Sequence, residues 1–288
     1  MRNRFRRTAV LVLPLALALA ACDAEAQEPA GAASRDSQAK ASPAPSAPPE
    51  SAEEFLDLAE KAMAAESAWS FSVEGEEGLT LQGQKTAATY KGTVRRAGGR
   101  AALHSQGVST SGKGTKRAEE LYVDEGAGYL KEDAANWRAV DPTEPEMQNK
   151  VEDPVAVVDE FRGYAQDSEG DVRVTQADGT VELRVTSGKQ ELSAVRDRAW
   201  AEKAKREFEP TAEQLRQLGI PVPDAQWTLS RLDEVLVLDA KTYRIRSHRL
   251  DFGLLIPYDG QDISFEHQVS QKNQGPSEEA VELPAELR

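Results

Sequence analysis

Few residues in this chain are able to do chemistry. Cys22 is the only cysteine among 288 residues, and His104, His248 and His267 are the only histidines. A single thiol allows no intramolecular disulfide. The histidines are too dispersed for a helical metal motif. If the strands around Tyr258-Asp259-Gly260 pair as a hairpin, His248 and His267 come diagonally close, yet two imidazoles without a cysteine or an obvious carboxylate make a poor zinc site. They read as surface histidines on a sheet. The stretch Gly107-Val-Ser-Thr-Ser-Gly112-Lys113-Gly114 nearly spells a P-loop, but Gly114 stands where a hydroxyl must reach magnesium, and no apolar strand leads into it. It reads as a Gly/Ser hairpin loop. No G-x-S-x-G elbow is present. The acidic pairs Glu76-Glu77 and Asp124-Glu125 read as solvated turn residues. These residues point to a non-catalytic protein with no catalytic residue, metal or cofactor.

The start of the chain explains the lone thiol. Arg2, Arg4, Arg6 and Arg7 form a basic segment, and Ala9 to Ala20 follow as an apolar run of 12 residues. A basic start, a short apolar core and small residues after it describe an export signal. A spanning helix needs about 20 apolar residues, so the run is too short to cross a membrane. Leu19-Ala20-Ala21-Cys22 resembles the lipobox of bacterial lipoproteins. That resemblance implies cleavage before Cys22 and a diacylglyceryl group on its sulfur, so residues 1–21 would be signal peptide and the membrane would be one partner. Each buried methylene adds about 0.8 kcal/mol to such an anchor. The expected location is the outer face of the cytoplasmic membrane, in the cell envelope.

Composition narrows the remaining partners. With the four early arginines removed, 31 basic residues face 49 acidic ones, a net charge of −18. Such a surface repels phosphate backbones, which excludes nucleic acid, and it offers no polybasic contact to anionic lipid headgroups. Residues 22–50 read as a lipidated tether. From Asp23 to Pro49 the chain contains no Val, Ile, Leu, Met, Phe, Trp or Tyr, so it cannot bury enough apolar surface to offset its ordering entropy. The folded part is then 51–288.

The elements of that part follow from periodicity. Ser51 and Glu54 form a capping box ahead of Phe55, Leu58, Ala59, Ala62 and Met63 at helical spacing. Trp69, Phe71 and Val73 alternate as on a half-buried strand, and Leu79 and Leu81 continue after an expected turn at "EGEEG". "ELYVDEGAGYLK" is a hairpin, with Trp137 and Val140 on or near the next strand. Asp153 and Pro154 open a helix with the stripe Val155, Val158, Phe161 and Ala165. Val172 and Val174 pair across the Asp178-Gly179 turn with Val181, Leu183 and Val185. Arg196 to Gly219 is charged and helical, expected to divide at Pro210, with Thr211 and Gln214 as a second capping box. Three long strands finish the chain, with a bulge expected near Ser247. The order predicts an α+β fold: one curved, mostly antiparallel sheet with helices on one face.

"AEKAMAAESAWSFSVE", "LYVDEGAGYLK…W", "DPVAVVDEF" and "VLDAKTYRI", with the lipobox and tether, make the chain resemble the LolA-like envelope lipoproteins of high-GC Gram-positive bacteria, the LppX/LprG-like group of actinobacteria. The resemblance implies a half-barrel with helices on its concave face and an apolar ligand, a lipid, bound or shuttled between them. Trp69, Phe71, Val73, Val158 and Phe161 are the candidate cavity lining. Against that stands a count: only 61 of the 238 residues after Glu50 are Val, Ile, Leu, Met, Phe, Trp or Tyr, lean for a filled core plus a roomy cavity. By that count Trp69, Phe71 and Val73 are plain core under the first helix. The alternative function is an envelope protein-interaction or sensory module, using the acidic surface and the helical stretch 196–218.

Overall fold

Ser51 begins the first helix as its sequence demands. Its side chain accepts the Glu54 amide, while the Glu54 carboxylate accepts the Ser51 amide, closing the capping box of α1 (Ala52–Met63). The computed structural model describes residues 48–99, 102–144, 147, 150, 153–167 and 171–287. The signal segment, Cys22 and the tether as far as residue 47 lie outside the described residues. Pro48–Arg288 form one compact unit, and it contains every described ladder, helix and core residue.

Among the described residues, twelve strands form a single antiparallel sheet. In chain order they are β1 (Ala68–Leu81), β2 (Gln84–Ala97), β3 (Ala102–Thr110), β4 (Lys116–Asp124), β5 (Ala127–Glu132), β6 (Arg138–Val140), β7 (Arg173–Ala177), β8 (Thr180–Ser187), β9 (Gln190–Glu191), β10 (Thr228–Asp239), β11 (Ile245–Tyr258) and β12 (Gln261–Pro276). Their spatial order is β6-β5-β4-β3-β2-β1-β12-β11-β10-β8-β7, with β9 on β10. The first strand therefore meets the last at the centre, and the sheet stays open. Among the described residues two more α-helices, α2 (Val157–Asp167) and α3 (Ala199–Gln217), lie with α1 on the concave face. This α+β half-barrel is the architecture that the resemblance implied.

Three expectations are corrected. "EGEEG" is no turn: β1 runs unbroken through it, because β12 and β2 pair with it on both sides along that stretch. Two full ladders outweigh the weak strand propensity of Gly and Glu. The chain turns instead at Gln82-Gly83, both with positive φ. Likewise α3 is not divided at Pro210. Thr211 makes no cap there; its hydroxyl donates to Glu77 on β1, a tertiary bond that no local pattern shows. The third correction concerns the histidines, all three of which are buried.

Other local signals hold. Asp153 accepts the amides of Val155 and Ala156 just ahead of α2. Gly219, with φ of 79°, ends α3, and the Ile220 amide donates back to the Leu215 carbonyl. The β10–β11 register slips by one residue between Val237 and Leu238, beside Ser247. The Gly107–Gly114 stretch is strand β3 running into the turn before β4.

Candidate functional site

Inward residues of β10, β11, β12 and β1 face the helices. Phe208 of α3 packs at a tilt against Phe265 and edge-on to Trp227, with ring centroids 4.6 and 4.8 Å apart. Trp69 donates its indole N–H to the Met63 carbonyl at 2.6 Å, tying β1 to the end of α1. Within this apolar layer lies a charged cluster. Lys203 of α3 is buried, and its ammonium sits 2.7 Å from Glu234 of β10 and against Glu160 of α2. Tyr164 of α2 donates to the other Glu234 oxygen at 3.0 Å. His248 of β11 joins Glu234 at 2.9 Å and Gln271 of β12 at 3.3 Å.

The electrostatics of this cluster balance. Burial opposes the Glu234 charge, but Lys203 and His248 outweigh it and hold the carboxyl at about 2. Burial likewise opposes the Lys203 ammonium, and Glu234 with its neighbours pushes its pKa well above the ordinary lysine value. Both remain charged at neutral pH. A buried pair with its remaining lone pairs satisfied is stable, whereas removing one partner costs about 3–5 kcal/mol. The cluster therefore clamps α2 and α3 to the sheet.

Beyond β1 the inner face is built differently. A cavity of about 200 Å³ opens over β12 and β1–β5, lined by Val73, Tyr90, Leu121, Leu130, His267 and Val269 among others. Register explains the lining. Val94, Ser105, Leu121 and Leu130 lie side by side across β2–β5, as do Val269, Gly75 and Tyr90 across β12–β2. The floor depends on a glycine pair. Gly92 and Gly107 are opposed on β2 and β3, and a Cβ on either would stand 2.5 Å from the Tyr90 hydroxyl oxygen. Without side chains there, the Tyr90 ring lies across them and its hydroxyl reaches Ser105 at 3.1 Å.

His267 belongs to this wall. It is opposed to Glu77 on β1, and neither ring nitrogen has a hydrogen-bond partner. Burial, reinforced by Lys203, lowers its imidazole to about 4, so it is neutral at pH 7. Burial also raises the Glu77 carboxyl, which keeps the Thr211 hydroxyl as partner. The cavity cation Lys150 is paired with Glu119 at 2.5 Å.

Of the residues expected to line a cavity, Val73 does so. Trp69, Phe71, Val158 and Phe161 are fully buried in the core. Sequence reasoning missed Tyr90, Leu121, Leu130, His267 and Val269 as a group, since they come from four strands far apart in the chain. The one signal available was parity: His267 alternates with Phe265 and Val269, which puts it on the apolar face. His248 and His267 are four positions apart in register, His248 opposing Gln271 and His267 opposing Phe252. Among the described residues no group of three or more His, Cys, Asp or Glu is arranged to hold a metal ion, and no helix is long and apolar enough to cross a membrane.

No family model and no curated protein matches the chain. Among solved structures it is similar to LprF from Mycobacterium bovis, of the LppX/LprG-like group, at 16% identity over 83% of this chain and 100% of that one, with a TM-score of 0.33. It is also similar to the Pseudomonas aeruginosa MucA/MucB complex, at 14% identity over 82% of this chain and 62% of that one, TM-score 0.24. A DUF1329 family protein from Desulfovibrio piger shares 9% identity over 78% of this chain and 94% of that one, TM-score 0.30.

Proposed function

We propose that this chain is an exported, non-catalytic binding protein, anchored in the envelope through diacylglyceryl on Cys22, that holds a small apolar ligand over β1–β5. The cavity carries this reading. Its volume of about 200 Å³ somewhat exceeds the ~150 Å³ dry cavity that takes up benzene. It therefore suits a ring or the end of one acyl chain, and is too small for a whole multi-chain lipid. In the helix-covered half the open space beside the Lys203 cluster, about 360 Å³, is lined by Asp153, Glu160, Lys203, Arg206, Glu207 and His248, a charged lining that suits an apolar guest poorly.

Native mass spectrometry of Pro48–Arg288, purified from a bacterial host, tests the reading with Gly75→Leu alongside. At Gly75 an added Cβ would meet Val269 and Tyr90 at ordinary contact distances of 3.6 and 3.8 Å, so a larger side chain grows into the cavity. The expected result is a small apolar adduct, or uptake of added toluene, in the wild type and neither in the variant. A clean mass with no toluene uptake would overturn the proposal. Cys22→Ala tests the anchor separately, and unchanged membrane fractionation with normal processing would sink that part.

The interaction-module reading has one observation in its favour. An open groove of about 940 Å³ runs beside α3, lined by Glu202, Lys205, Arg206, Glu209, Arg216 and the 221–224 segment. Its charges are already satisfied, Lys205 by Asp224 and Arg216 by Glu209 and Glu213, which leaves little for a partner to gain.

A further inference from the structure

The carboxyls of the cavity wall are not alike. Glu119 is held by Lys150 and by the Ser109 hydroxyl, and Glu76 by Lys85. Glu77 lines the cavity from β1, and among the described residues it has no cation. Its Oε1 accepts the Thr211 hydroxyl, and its Oε2 has no partner. That second oxygen is not sealed off. Among the described residues, the polar atoms both unpartnered and shut away from solvent belong to Trp227 and His267. The residue opposite on β12, His267, is neutral and supplies no counter-charge. A partly buried carboxylate with one hydroxyl partner is under-compensated, and burial accordingly raises its pKa.

We propose that this cavity selects a cationic amphiphile, a primary ammonium on a small apolar body, with the ammonium at Glu77 and the body against Val73, Leu121, Leu130 and Val269. This rests on the ligand-binding reading above and names the chemistry of the guest. An ammonium carries three donors and no acceptor, so it can meet Oε2 while Oε1 keeps Thr211. Burying an ion pair ordinarily costs the hydration of both charges. Here folding has already taken much of the water from the carboxylate, and the guest supplies the charge that it lacks. An anion fits poorly, since the cavity cation Lys150 is taken by Glu119. A neutral guest leaves Glu77 without its counter-charge. The net charge of −14 acts in the same sense, drawing cations toward the protein.

Toluene, benzyl alcohol, benzylamine and benzoate share a ring of suitable size and differ only in the group presented to Glu77. Calorimetric titration of Pro48–Arg288 with each probe at neutral pH, with methyl NMR of Val73 and Val269 to locate binding, separates the possibilities. Benzylamine is expected to bind about tenfold more tightly than toluene, the least that one hydrogen bond to a charged group supplies. Benzyl alcohol, which donates but brings no charge, should lie between them, and benzoate should show no saturable binding. Benzylamine, and not toluene, should also shift the Glu77 carboxyl carbon resonance. In Glu77→Gln, which keeps an oxygen for Thr211, benzylamine and toluene should bind within about twofold of one another. Toluene or benzyl alcohol binding as tightly as benzylamine in the wild type would overturn this proposal while leaving the apolar-ligand reading intact. Benzylamine that binds without moving the Val73 and Val269 methyls is held on the acidic surface, and would overturn it as well. No binding of any probe, toluene included, would overturn both. Because the wild-type comparison decides on its own, the result stands even if the variant folds poorly.

Discussion

His248 and His267 sit on adjacent strands, on the same face of one sheet, and both are buried. There the likeness ends. His248 lies under the helices and has a partner at each nitrogen, Glu234 and Gln271. His267 lies in the wall of the cavity and has none. The first belongs to a cluster in which α2, α3 and the sheet are clamped by saturated charge; the second packs against the rings of Phe252 and Phe265. The difference teaches where this fold spends its polar groups. Buried charge is paired where the layers must stay shut, whereas the uncharged His267 ring and the Trp227 indole N–H are left without a partner.

The largest test breaks the clamp. Lys203→Met leaves Glu234 buried without its cation, and the expected loss is about 3–5 kcal/mol in chemical denaturation. Adding Glu234→Leu should recover most of it, because an apolar pair of similar volume removes the uncompensated charge. A single variant as stable as the wild type would show that α3 is not held by this cluster.

Acid tests the other histidine. The His267 imidazole titrates at about 4 when folded, against an ordinary value of 6.5. Between those values the unfolded chain binds a proton that the folded chain refuses. Stability from this group is thus complete above 6.5 and falls as pH drops to 4, by up to about 3 kcal/mol. Glu234, held at about 2 against 4.5, acts in the same sense lower down, and is lost as pH falls from 4.5 to 2. Glu77 and Glu207, raised by burial, work the opposite way. The quantity to read is therefore the difference between wild type and His267→Phe, which should lose the slope between pH 6.5 and 4. Parallel curves would mean that His267 is solvated.

A matched pair of substitutions puts the two histidines side by side. His248→Phe deprives Glu234 and Gln271 of a partner and should cost about 1–3 kcal/mol. His267→Phe breaks no hydrogen bond and should leave stability unchanged or raised. Equal losses would erase the contrast. The smallest effect expected is at Gly75, where alanine has room and Gly in a strand interior is unfavourable. Gly75→Ala should stabilise by about 0.5–1 kcal/mol while weakening toluene uptake.

Much of the fold was legible along the chain because it depends on short-range physics. The Ser51–Glu54 box, the Asp178-Gly179 and Glu125-Gly126 turns, the Asp153 cap and the Gly219 stop all stand where residue type and spacing placed them. The misreadings came where distant strands or helices intervened. Gly75 and Gly78 looked like turn residues, yet ladders on both sides made them strand. Thr211 looked like a cap, and Glu77 across the molecule took its hydroxyl.

The sequence by itself determined the alternation that buries one side of each strand, the helix caps, the export-like start and the acidic surface. These follow from local spacing and composition and need no partner to be read. Only the tertiary structure decided which inward residues meet. The pairing of β1 with β12, some 190 residues apart in the chain, brought Glu77 beside His267 and Val73 beside Gln271. The opposed Gly92 and Gly107 let Tyr90 lie flat and opened the space that His267 borders. Register between strands is set by the sum of many side-chain contacts across the sheet, so no single stretch of sequence contains it.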